Sequence, residues 1–476
     1  MSPTCDYSVK SEGQVVHCNR RADDSGKCIL HNPNENKDRD AFVKALIQEL
    51  DPPYSKPIDL TGVVFTHLDP NFWKRSFHAD VSFDRARFLS PVRFEGASFS
   101  SNCSFVFTAF QREVTFSNCY FGGEVVLKQL NAAGMPWTFR NVTFWKGFKL
   151  AAFELNGEIL MYNVESYLSS LFRSLTLHGR LGIEGSTTFH GLVEFDHCIL
   201  NKSISCKNVS FKQGVTMTSC EIKTQSPEFQ ETEFLGPTIF PNSEQMYQPP
   251  TFKSCNLQGV RIDNLPLELY QPPMMLYDCT WGTKGKKGFG QRHIVADEID
   301  RPKSQRLIEV YRYLFKFYYD KSDFSLSSDF YIGFAIANRM IHKRNPISKF
   351  IDIFYCKFAR YGESILRPLF ALLIMWIIVP IVLLQIGIKI DAGSAVVVTR
   401  PIFDSTSNSL ILFTGIFWKT VLMNIALSTI VRSSELRPPI TSWQYFIILA
   451  ETLLNGAFLA FIAVAVKRTF SPKKPF

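Results

Sequence analysis

Cys5, Cys18 and the pair Cys28-x-x-His31 place three thiols and an imidazole near the start of the chain. These are the ligand types of tetrahedral zinc, and the Cys28–His31 spacing is that of one knuckle of a zinc site. Cys5 and Cys18 stand alone, and His17 competes with His31 for the fourth place. Simple reduced cysteines are therefore the alternative reading. No obvious carboxylate base accompanies the set, so any zinc here is expected to be structural.

Glu451 is the other chemically loaded residue. It interrupts the apolar run from Trp443 to Val466. An unpaired charge at membrane depth costs about 2.5–3.5 kcal/mol on insertion scales. Three readings follow: the side chain turns toward a pore or a partner such as Lys419, it carries a proton, or it sits shallow and reaches the headgroups. Asn455 falls on the same helix face, four residues on. Gly456 permits close helix contact or a bend. Elsewhere there is no Ser-His-Asp order, no paired carboxylates in context, no phosphate loop and no zincin motif, so the residues argue against an enzyme.

The element that must carry most of the chain is a repeat. Phe77, Phe83, Phe88, Phe94, Phe99, Phe105, Phe110, Phe116 and Phe121 alternate gaps of six and five, an eleven-residue unit. From Phe83 on, a smaller residue precedes each by two: Val81, Ala86, Val92, Ala97, Cys103, Thr108, Val114, Cys119. The phase returns through Phe144, Phe148, Phe153 and Ile159, breaks near Tyr167–Leu175, and resumes at Phe189, Phe195, Leu200, Cys206, Phe211, Met217 and Ile222. Neither helical nor alternating periodicity fits. A square β-coil does, with one large and one small residue inward per side and Phe stacked on Phe. With 43 Phe and 46% apolar residues there is ample core material. Five of the eleven cysteines occupy inward positions, where they act as small hydrophobes; this favours a reducing compartment.

This segment resembles pentapeptide-repeat proteins of the variant with alternating five- and six-residue spacing. The resemblance covers about 57–281 and implies a mainly β fold, a right-handed quadrilateral β-helix. Residues 1–50 read as the Cys/His module followed by a short helix from Asp38 to Leu50. Residues 282–301, rich in Gly and Lys, read as a flexible basic linker, and 302–345 as a helical hairpin.

Residues 346–476 read as an α-helical membrane domain. Spans are expected at about 366–388 and 443–466, each long enough for a bilayer core of about 30 Å. The net charge of +9 concentrates beside these spans, so lipid is the simplest partner. Lys343, Arg344, Lys349, Lys357, Arg360 and Arg367 precede the first span. Lys467, Arg468, Lys473 and Lys474 follow the second. By the positive-inside rule both termini are expected to be cytoplasmic, and the apolar segment 410–431, containing Lys419 and Asn424, is expected to be a re-entrant helix; a third span, or a segment resting on the membrane surface, is the alternative. No signal peptide is visible.

Through Tyr311-Arg-Tyr-Leu, Asp329-Phe-Tyr, Tyr361-Gly-Glu-Ser-Ile-Leu-Arg-Pro-Leu and Pro438 to Phe470, the chain is similar to prokaryote-type membrane proteins that join pentapeptide repeats to a two-helix ion-channel-like region. The resemblance implies an oligomeric channel or pore whose cytosolic β-helix senses a protein or ligand. The segment from Ser428 and Thr429 to Pro438 lacks the glycines of a potassium filter. A membrane-anchored interaction scaffold without conduction is the alternative. Nucleic acid is not an expected partner, because mimicry needs a strongly acidic surface and this solenoid carries many outward Lys and Arg.

Overall fold

The computed structural model describes residues 4–470, except 12–13, 51–55, 67–69, 133, 224–225, 242–244, 247, 262–273, 287–288, 301, 342–344, 363, 387, 393–394, 400–417 and 419–441. The chain divides into two compact units, Met1–Tyr313 and Leu314–Phe476.

The first unit is a parallel β-solenoid of about nine turns. Its strands stack into sheets of ten, nine, eight and four strands among the described residues. Phe116 lies in register with Phe94 on one side and Phe139 on the other, so one coil consumes two of the eleven-residue units, with an occasional extra residue. That register stacks like on like. Phe94 and Phe116 are 4.9 Å apart and nearly parallel, and Phe116–Phe139 follows at 5.2 Å. Each coil thus buries its rings against the neighbouring coils, and no coil has a core of its own.

Local chemistry turns the corners. Left-handed backbone recurs at Asn118, Asn141 and Asn163, with φ of 54°, 52° and 52°. Asparagine tolerates this conformation better than most residues. Here the side chains also form a ladder: Asn141 Nδ2 donates to Asn118 Oδ1 at 2.9 Å and Asn163 Nδ2 to Asn141 Oδ1 at 3.0 Å. The small inward slots carry hydrogen as well as volume. Thr108 Oγ1 donates to the Phe83 carbonyl at 2.8 Å and Cys119 Sγ to the Phe94 carbonyl at 3.1 Å. A short O–H or S–H there satisfies a carbonyl of the preceding coil.

The break expected near Tyr167–Leu175 is not a break in the fold. The strand Ser170–Leu177 pairs with Phe148–Leu155 and with Val193–Asp196. Ser166 occupies the inward place held by Phe144 and Phe189 in the adjacent coils. Ser166 and Ser170 are both fully buried, with their hydroxyls 2.8 Å apart. The pair satisfies its own polar groups, which is how two serines replace apolar side chains without interrupting the stack.

The expected linker is also ordered. Gly282–Lys286 and Phe289–Ile294 form an antiparallel hairpin. It is followed by α2 (Ala296–Asp300) and α3 (Gln305–Asp320), α1 being Arg39–Leu50. Arg292 grips Glu298 through both carboxylate oxygens at 2.7 and 2.6 Å, and Tyr311 donates its hydroxyl to the same carboxylate. Lys284 adds a contact at 3.1 Å.

In the second unit, α3 and α4 (Phe324–Ile341) pair through Tyr318 and Phe330, stacked at 5.4 Å. Then come α5 (Pro346–Ala359), a 3-10 turn at Arg360–Gly362, α6 (Leu366–Ile386) and α7 (Ser442–Phe470). Phe354 of α5 packs on Phe458 of α7 at 5.7 Å. Among the described residues one helical segment, Leu449–Lys467, is long and apolar enough to cross a membrane. Leu366–Val379 is apolar but shorter, so of the two expected spans only the second meets that test in full.

Candidate metal centre and buried polar pair

The module at residues 4–50 docks on the first coil. Val64 N–H donates to the Leu30 carbonyl at 2.8 Å, and Phe42 of α1 meets Phe65 edge-on. Lys37 ties the two together, donating to the carbonyls of Ile29, Asn32 and Val64 at 3.1, 3.2 and 2.6 Å. This docking brings together residues that the sequence leaves dispersed.

Cys5, Cys18, Cys28 and His31 converge, their ligand atoms all within 4.8 Å of one another. Cys18 Sγ and Cys28 Sγ are 3.8 Å apart. His31 Nδ1 lies 3.3 Å from Cys28 Sγ and 3.6 Å from Cys5 Sγ. His17, the competing fourth ligand, is exposed and outside the cluster. The ring orientation has a cause. His31 Nε2 sits 3.2 Å from the Thr61 carbonyl, which can only accept, so Nε2 carries the hydrogen. Nδ1 is then a lone pair aimed at the sulfurs, the outer-shell arrangement of a metal-bound histidine. Tyr7 stacks on the imidazole of His31, the ring centroids 4.0 Å apart.

The charges also suit a cation. Burial pushes the Cys28 thiol up to about 11 and lowers His31. A bound metal would displace the thiol protons and use the lone pair of the neutral imidazole at Nδ1. Arg20 Nη1 reaches Cys18 Sγ at 3.6 Å and is itself paired with Glu49 at 2.5 Å. The set could therefore hold a metal ion. Thr61, Arg20, Tyr7 and Lys37 carry no local motif, so sequence reasoning had no signal for them.

The second constellation lies on α7. Glu451, Asn455, Phe458 and Ala465 are all buried and fall along one stripe of the helix. Glu451 is 5% exposed and Asn455 1%. Glu451 Oε1 and both polar atoms of the Asn455 carboxamide have no hydrogen-bond partner among the described residues. Gly456 faces the opposite way, with open space where a Cβ would stand. Lys419, Asn424, Ser428, Thr429 and the expected re-entrant helix 410–431 lie outside the described residues.

No protein-family model matches the chain, and neither does any curated protein or any solved structure.

Proposed function

We propose that this chain is an oligomeric, channel-like integral membrane protein with a division of labour between its two units: a cytosolic solenoid that senses or binds a partner, and a helical unit that crosses the bilayer through α6 and α7 with both termini cytoplasmic. The observation that carries the reading is the buried Glu451–Asn455 pair in an otherwise apolar helix. Carboxylates at such places mark ion pathways more often than packing, since they are expensive to bury. Lipid contact is supported by the outer faces. Leu366, Phe370, Ile374 and Ile377 of α6 are all more than half exposed, as are Phe446, Leu449 and Leu453 of α7. Apolar surface of that extent belongs against lipid or another subunit. Gly456 supports a second copy, because a glycine face lets helices approach closely.

On this reading the repeat is a right-handed quadrilateral β-helix of the pentapeptide type, and the metal is zinc. A tetrahedron with zinc–ligand bonds of about 2.0–2.3 Å has edges of about 3.3–3.8 Å. Three of the six ligand pairs, at 3.3, 3.6 and 3.8 Å, match those edges, and all lie within 4.8 Å. All four positions are filled by protein, which makes the zinc a staple rather than a reactive centre.

The test is ion flux through full-length protein in liposomes, with Glu451→Gln beside the wild type and the oligomer verified by mass. Flux altered by the substitution supports the pore. A correctly inserted oligomer without flux supports the second reading, an anchored interaction scaffold. That reading is favoured by one feature, the outward ladder Trp145–Tyr167–His190 with rings 4.6 and 4.7 Å apart.

A further inference from the structure

The stranded polar atoms of α7 ask for a specific occupant. Buried polar groups in folded proteins are hydrogen-bonded almost without exception, and each unsatisfied one costs about 1–3 kcal/mol. Three such atoms sit within one helical turn: Glu451 Oε1, Asn455 Oδ1 and Asn455 Nδ2. Two of the three are oxygens with no donor among the described residues.

Several occupants fail on what is present. Among the described residues, no Lys, Arg or His forms an ion pair with Glu451. Water could hydrogen-bond all three atoms and a proton would neutralise the carboxyl; saturable binding of a metal cation separates both from the occupant proposed next. An anion meets a like charge. A calcium-type site draws on six to eight oxygens and usually several carboxylates, whereas here one carboxylate and one amide are offered.

We propose that Glu451 and Asn455 together form a binding site for one small monovalent cation, with Glu451 Oε1 supplying the charge and Asn455 Oδ1 the second oxygen. The site rests on the membrane reading above for its apolar surroundings, but it does not require conduction. In this arrangement Asn455 is a ligand and a selectivity element: its neutral oxygen adds coordination without adding a second charge, which favours a monovalent over a divalent ion.

The test is equilibrium binding of radioactive sodium and rubidium ions to detergent-solubilised full-length protein. Saturable binding near one ion per chain is expected for the wild type. Glu451→Gln should weaken it by about tenfold or more, and Asn455→Ala by about three- to tenfold, the loss of one charged and one neutral oxygen. As a check that needs no variant to fold, sodium chloride should raise the melting temperature of the wild type above that seen in choline chloride, whose cation is too large to enter. Absence of saturable uptake by the wild type overturns the site, as does equal uptake by Glu451→Gln. Because binding is measured without a gradient, a non-conducting protein that binds sodium keeps the site and loses the pore. A conducting protein without saturable binding does the reverse.

Discussion

His31 Nε2 lies 3.2 Å from the carbonyl oxygen of Thr61, thirty positions further along and in the first coil of the solenoid. This single contact fixes the tautomer of a candidate metal ligand and would couple a bound metal to the repeat. A metal bound at Nδ1 therefore holds the module against the end of the stack, where the first coil would otherwise face water.

Loss of the metal is expected to loosen that end first. Cys28→Ser and His31→Ala should each lower zinc affinity by more than about 100-fold, beyond the cost of losing an outer-shell partner. Hydrogen exchange should rise at residues 58–65 before it rises further along, because coils depend on their neighbours. Metal analysis of the purified protein checks the first point. Unchanged exchange at 58–65 after chelation would separate the metal from the solenoid.

Lys37 offers a way to test the same junction without touching a ligand. Its ammonium bridges Ile29, Asn32 and Val64 carbonyls, and Phe42 lies beneath it at 4.3 Å. Lys37→Met keeps the stem and removes the donors. A loss of about 2 kcal/mol is expected, read as a lower melting temperature with zinc content retained. Loss of zinc together with stability would show that Lys37 shapes the site itself.

The solenoid predictions separate packing from backbone. Phe116→Ala opens a cavity between two stacked rings and should cost about 3–5 kcal/mol. Asn141→Gly keeps the left-handed corner and removes two ladder bonds, whereas Asn141→Ala loses both. The alanine variant should be the less stable by about 1 kcal/mol. Equal melting temperatures would assign the asparagine's role to the ladder alone.

The cluster behind the solenoid should give an acid-sensitive step. Burial alone would raise the Glu298 carboxyl, but the charge and hydrogen bonds of Arg292, with Tyr311 and Lys284, hold it below the usual 4.5. A carboxyl depressed in the folded state contributes stability above its unfolded value, and that contribution fades as the pH falls through the folded value. Melting temperature should therefore drop below about pH 4.5. Glu298→Gln, which strands a buried Arg292, should lose about 3–5 kcal/mol at pH 7 and show a flatter decline in acid. A decline as steep as that of the wild type would place the acid sensitivity elsewhere.

What the sequence determined by itself is the solenoid: a phase-locked ladder of large and small inward residues can be satisfied only by stacking, so period alone dictates how one coil meets the next. It also named the four metal-ligand candidates, because their chemistry is written in residue type. Tertiary structure decided the rest. It chose His31 over His17 through a carbonyl that only folding brings near. It kept the stack intact across Ser166 and Ser170, whose mutual hydrogen bond is invisible to a hydrophobic pattern. It ordered Gly282–Lys286 and Phe289–Ile294 as a hairpin, where composition reads a linker, and buried Arg292 against Glu298. It also turned Glu451 and Asn455 inward together. Spacing placed them on one face, but only packing of the helices buried them and left Glu451 Oε1 and the Asn455 carboxamide without a partner among the described residues.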